Sequence, residues 1–262
     1  MEQLAQFTPS YDVLTILFLL VAGFIAAFVD STVGGGGLVT TPSLLALGLP
    51  VPYALGSNKL ASSMGAVTSF LSFWQAGKID KKLSLFLMPL SFLGAALGAY
   101  VVYLLPEALM KRLIVALLIA VAVYTFFRKD WGDIPAREKL GTAAYIAAAV
   151  MAGALGFYDG FFGPGTGSFL IFGFLFLGFD FVTAAGNAKA LNLGSNLGAL
   201  VSFALAGTIV WQYSLIMGAA MIAGALCGSR MAIKKGAAYV RPLFLIVTTV
   251  LIGRQIYDIF LK

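Results

Sequence analysis

Histidine is absent from this 262-residue chain and cysteine occurs once, at Cys227. Disulfides within one subunit and the usual zinc and haem ligand sets are therefore excluded. Charge is scarce as well: Asp, Glu, Lys and Arg together make up 11% of the residues, and no Lys or Arg precedes Lys59. The basic n-region of a cleavable signal peptide is thus missing, which predicts that the first apolar run is a retained span. No clustered carboxylates and no cysteine beside a base supply the constellation an enzyme needs. The net charge of +6 does not point to nucleic acid, because the basic residues fall in short loops between apolar runs. No cofactor is expected.

What is present is apolar. Hydrophobic residues make up 60% of the chain and the mean hydropathy is +0.96, too little polar surface to cover a soluble globule of this size. Apolar runs of about 20 residues recur from Leu14 onward, with none of the alternation of a lipid-facing barrel. The fold class predicted is an all-α, multi-pass membrane helix bundle whose partner is the lipid bilayer.

The two halves match at an offset of about 130 residues. Asp30 corresponds to Asp159, Gly34 to Gly163 and Gly36 to Gly165. After a shift of one, Gly56 matches Gly186, Lys59 matches Lys189, Ser72-Phe73 matches Ser202-Phe203, and Ala76-Gly77 matches Ala206-Gly207. The Gly94/Gly98 pair has its twin in Gly224/Gly228, which reads as helix-packing notches. The expected units are 1–130 and 131–262, together one membrane domain. Each begins with an apolar helix ending at an aspartate (13–30 and 141–158), then a glycine turn and an apolar segment too short to cross comfortably. A polar break (Gly56 to Lys59; Gly186 to Lys189) then opens a longer helix. Further spans are expected at 83–105, 107–128, 213–229 and 242–260, with Arg254 pairing with Asp258 on the last. The hydrophilic stretch from Phe127 to Gly141 is the linker.

Positive charge changes loops between the halves. Lys78, Lys81 and Lys82 correspond to an uncharged loop from Thr208 to Tyr213, while Lys111 and Arg112 correspond to a loop with Arg230, Lys234, Lys235 and Arg241. If cationic loops stay cytoplasmic, the halves are inverted. That predicts about five membrane segments each, both termini outside and the linker inside.

A lysine at bilayer depth costs about 2.5–3.5 kcal/mol on insertion scales. Lys59 and Lys189 are read as opening their helices, where the dipole disfavours a cation and calls for a compensating anion; snorkelling to headgroups is the alternative. Asn58, Asn187 and Ser57 stand beside them, and Thr40, Thr41 and Ser168 supply further hydroxyls. The turns at Gly34 to Gly37 and Gly163 to Gly167 include Gly35, Gly36, Gly37, Gly165, Thr166 and Gly167. They read either as anion-binding nests of backbone N–H groups or as tight turns and close contacts. Neither follows a strand or carries a Lys-Ser/Thr pair, so neither is a nucleotide loop. Asn192 and Asn196 extend a polar stripe from Lys189, for a ligand or for helix-to-helix hydrogen bonds. Asp30 and Asp159 are candidates for proton coupling, with capping or pairing to a lysine as alternatives.

These motifs together carry a resemblance: Gly34 to Gly37 with Pro42, Gly56-Ser57-Asn58-Lys59, Ser72-Phe73 leading to Ala76-Gly77-Lys78-Ile79-Asp80, and the second-half Gly163 to Gly167 and Gly186 to Lys189. Over nearly its whole length the chain resembles the sulfite exporter TauE/SafE family of prokaryotic membrane transporters. The resemblance implies a secondary transporter, in the export direction, of small sulfur-containing anions such as sulfite, sulfoacetate or thiosulfate in the cytoplasmic membrane. Family members differ in substrate and direction. From the residues alone a channel, or a cation carrier using Asp30 and Asp159, stays open. A homo-oligomer is compatible with the sequence and not specified by it.

Overall fold

The computed structural model describes residues 12–106, 109, 110, 113, 116 and 141–260, with side chains as far as residue 236 in the last helix. Among the described residues the chain is all helical: α1 Val13–Val33, α2 Gly37–Ala46, α3 Val51–Gln75, α4 Lys81–Leu104, α5 Thr142–Phe161, α6 Thr166–Phe176, α7 Phe181–Leu205 and α8 Trp211–Phe260. Gly236 interrupts α8 with φ 61° and ψ −156°, splitting it where two spans were expected. Most of the span placed at 107–128, the linker and the side chains of Arg254 and Asp258 lie outside the described residues.

Among the described residues four helices are long and apolar enough to cross a membrane: Val13–Val33, Lys81–Leu104, Thr142–Phe161 and Trp211–Gly236. This is a multi-pass membrane protein. Large apolar side chains on these helices stay exposed, among them Leu14 and Leu17 on α1, Phe86 and Leu93 on α4, Val150 on α5 and Leu215 on α8. A lipid-facing surface requires that, since hydrocarbon is as good a solvent for leucine as a protein core. Helices α3 and α7, 25 residues each, are the more polar pair and lie inside. Residues 184–196 of α7 are buried on every face. The remaining helices, α2 and α6, have only 10 and 11 residues. At about 1.5 Å per residue they reach roughly half of a 30 Å hydrocarbon core.

Close packing comes from small residues. A Cβ on Gly98 of α4 would sit 2.0 Å from the Phe157 carbonyl oxygen of α5, and one on Gly224 of α8 would sit 2.2 Å from that of Phe24 on α1. The Gly94/Gly98 and Gly224/Gly228 notches thus serve equivalent contacts: α4 rests on α5 and α8 on α1.

The long inner helices interlock end to end. Ser57, near the start of α3, accepts a hydrogen bond through Oγ from the Val210 amide at 2.9 Å. Asn187, at the matched place in α7, accepts one through Oδ1 from the Asp80 amide at 2.8 Å. Each helix therefore begins beside the loop that ends the other, and the two run antiparallel. Asp180 caps α7, accepting from the Val182 and Thr183 amides at 3.1 Å each. Burial opposes its ionisation, yet these hydrogen bonds, one from the Thr183 side chain and the charge of Lys78 hold its carboxyl below the ordinary carboxylate range.

Three local expectations are corrected. The segments Gly56 to Lys59 and Gly186 to Lys189 are not polar breaks: α3 starts at Val51 and α7 at Phe181, so each lysine is the ninth residue of its helix rather than in the first turn. In hydrocarbon an opened backbone is costly, so a Gly-Ser-Asn stretch keeps its helical hydrogen bonds and the glycine serves contact instead. A Cβ on Gly56 would meet the Thr208 oxygen at 2.2 Å, and one on Gly186 the Lys78 oxygen at 1.9 Å. Nor do Asp30 and Asp159 end their helices, which run on to Val33 and Phe161.

Candidate functional site

Both aspartates occupy the last turn of a helix, where the negative end of the dipole disfavours a carboxylate. Each is compensated by a lysine from the other half of the chain. Lys59 Nζ lies 2.9 Å from Asp159 Oδ1, and Lys189 Nζ lies 3.1 Å from Asp30 Oδ2. Lys189 also donates to the Asp30 backbone carbonyl, and Ser195 Oγ donates to Asp159 Oδ2 at 2.6 Å. The lysines are 2% and 0% exposed, so they neither face lipid nor snorkel to headgroups. Two cations and two carboxylates balance, which is the condition under which buried charge is tolerated.

The glycine turns hold these pairs together by touching each other. Gly34, at φ 79°, has no room for a Cβ, which would lie 2.2 Å from the Ser168 nitrogen. Ser168 Oγ donates to the Val33 carbonyl at 3.0 Å across the same contact. In the second turn Tyr158 Oη donates to the Pro164 carbonyl at 2.7 Å and Thr166 Oγ1 to that of Gly163 at 2.7 Å. In the first turn the Gly36 amide is already directed at Asp30 Oδ1, at 3.4 Å.

Beside the pairs lies a small, partly open cavity, whose roughly 470 Å³ of non-protein space includes the open solvent at its mouth. Of the residues singled out from sequence, Lys59, Asn58, Gly35, Gly36, Gly37, Gly167, Asp30 and Asp159 line it. Lys189, Asn187, Ser57, Gly165 and Thr166 do not. Lys189 stands behind Asp30, while Ser57 and Asn187 are engaged with the Val210 and Asp80 amides. Thr40 donates to the Gly36 carbonyl at 3.3 Å. The Thr41 hydroxyl is buried with no partner among the described residues.

The walls also include Asn192 and Asn196, the polar stripe read from the sequence, and two hydroxyls that were not singled out, Ser31 and Ser62. Ser62 and Asn192 each follow a lysine by three residues, one helical turn, and that spacing was the available signal. Asn192 is 7% exposed, and among the described residues no hydrogen bond it forms involves its side-chain amide. That amide opens on the cavity, where water or a ligand can pair it.

A bundle with a charged, half-open chamber at the depth of its inner helices has relatives that can be named. The profile of the sulfite exporter TauE/SafE family matches residues 19–254. The chain belongs to this family. It is 39% identical over 244 residues to a probable membrane transporter protein of Sinorhizobium, covering 93% of each chain. To one of Haemophilus influenzae it is 37% identical over 249 residues, 94% of this chain and 96% of the relative. To one of Escherichia coli the identity is 33% over 256 residues, 96% and 93% of the two chains. No solved structure gives a significant match. As a TauE/SafE member the protein is a membrane transporter.

Proposed function

We propose that this TauE/SafE protein is a secondary transporter, in the export direction, of small sulfur-containing anions of the sulfite, sulfoacetate or thiosulfate class, and that it works by alternating access in the cytoplasmic membrane. The observation that carries the reading is the crossed pairing of Lys59 with Asp159 and Lys189 with Asp30 at the edge of one cavity. A buried cation whose counter-ion belongs to the other half of the molecule can exchange that counter-ion for a diffusible anion when the halves move. In the dry interior such an exchange is sensitive to small displacements.

The mechanism treats 1–130 and 131–262 as inverted repeats of about five membrane segments, termini outside and linker inside. The antiparallel α3 and α7 and their equivalent cap contacts support this arrangement. The anion enters beside Lys59 and competes with Asp159 for its ammonium, with Asn58 and the turn at Gly35, Gly36, Gly37 and Gly167 around it. Lys189, Asn187, Ser57, Gly165 and Thr166 come from the matched positions and contribute as the repeats exchange conformations. Asp30 and Asp159 are the carboxylates placed to accept protons when their lysines are engaged elsewhere, which would couple flux to the proton gradient.

The test is sulfite flux into proteoliposomes. Lys59→Ala and Lys189→Ala are expected to abolish saturable transport while the protein still elutes as a folded species. Retained transport in both variants would end this assignment, and flux linear in concentration would replace the carrier with a pore.

A further inference from the structure

The charged groups at the cavity cancel: Lys59 is held by Asp159 and Lys189 by Asp30, so the site offers an incoming anion no net positive charge. While both pairs are closed, its first attraction comes from dipoles that are not already used. Among the groups lining the cavity, the side-chain amides of Asn58, Asn192 and Asn196 offer such dipoles. Among the described residues the side-chain amide of Asn192 has no partner, although the residue is 7% exposed and lines the cavity. Asn196 Nδ2 spends one N–H on the Asn192 carbonyl at 2.7 Å and retains the other. Asn58 accepts from Ser62 Oγ at 3.0 Å through Oδ1, which leaves its Nδ2 free. Hydrogen bonding between helices, the other use of an intramembrane asparagine stripe, is not what Asn192 does here.

We propose that Asn192 and Asn196 of α7, together with Asn58 of α3, are the substrate-contacting residues that read the oxygen atoms of the anion. This rests on the anion-transport reading above and makes it specific. Sulfur oxyanions present several acceptor oxygens around one centre and no donor, which suits converging amide N–H groups. Repeat symmetry is broken at these residues. The positions matching Asn192, Asn196 and Asn58 hold Ser62, Ala66 and Ala188, so the duplicated fold yields one such cluster and not two. The cluster belongs to the cavity as it stands, whose lining also includes Ala27 of α1 and Met221 of α8.

The experiment uses the full chain in detergent with sodium sulfite as probe, against sodium chloride at equal ionic strength, and reads the thermal midpoint as sulfite is raised. Wild type is expected to gain a saturable shift. Asn192→Leu, which keeps volume and removes the donors, and Asn196→Leu are each expected to raise the half-saturating sulfite concentration by about tenfold or more, the scale of a lost hydrogen bond to a charged ligand. Asn192→Ser, with a shorter donor, is expected to fall between, and it serves as the test if the leucine variant does not fold. The contact role is overturned if wild type shifts and the Asn192 variants share its half-saturating concentration within about twofold. No shift in wild type with sulfite, sulfoacetate or thiosulfate would instead remove the anion reading, and this assignment with it.

Discussion

Neutralising Asp159 without changing its shape, as Asp159→Asn, leaves Lys59 charged, 2% exposed and without its counter-ion. Breaking a buried ion pair by removing one partner costs about 3–5 kcal/mol, whereas replacing both partners with uncharged groups of similar volume is close to neutral. For a chain of this length about 1 kcal/mol corresponds to roughly 2–4 °C in the thermal midpoint. The single variant should therefore lose roughly 6–20 °C, and the double variant Lys59→Met/Asp159→Asn should recover most of that loss. Ser195, which donates to Oδ2 at 2.6 Å, can turn to the amide oxygen of the asparagine, so the loss reports the stranded ammonium and not a broken hydroxyl contact. The measurement is a double-mutant cycle on detergent-solubilised protein at one fixed scan rate, since unfolding of membrane proteins is often irreversible. Additive losses, with the double variant no more stable than the worse single one, would refute the claim that these two buried charges compensate each other.

Other outcomes follow from the same geometry. Gly34→Ala places a Cβ at 2.2 Å from the Ser168 nitrogen at a φ of 79°, and should prevent assembly of the paired turns, read as loss of monodisperse protein. Gly153→Ala, in a helix with nothing within 4 Å, should gain about 0.5–1 kcal/mol in thermal unfolding. Asp180 has its folded pKa held down, so its contribution is present above the unfolded carboxylate value and lost as pH falls through the folded one. Thermal midpoints measured from about pH 6 down to about pH 2 should fall less steeply for Asp180→Asn than for wild type.

Much of the candidate site was visible in the chain as written, because a charged or broken-backbone position stands out against an apolar background. Lys59, Asp30, Asp159 and Gly35 to Gly37 of the first glycine turn were legible that way, and these line the cavity. Ser57 and Asn187 were attractive for the same reason, yet their oxygens are taken by amides 153 and 107 residues away in sequence. The Asn192 wall was legible only as a stripe, since periodicity says which residues share a face and not what that face meets.

Class and order were decided by the sequence alone: hydropathy summed along a segment makes it a span, and a duplicated motif announces itself without any fold. The start of α3 and α7 was misjudged from Gly56 and Gly186 because a glycine reads alike whether it breaks a helix or admits a neighbour's backbone; only the Thr208 and Lys78 carbonyls packed against them distinguish the two. Partner choice belonged to tertiary structure as well. Nothing local to Lys59 specifies Asp159 over Asp30; the antiparallel crossing of the inner helices does, by bringing each ammonium to the far helix end where a carboxylate and a dipole both lack compensation.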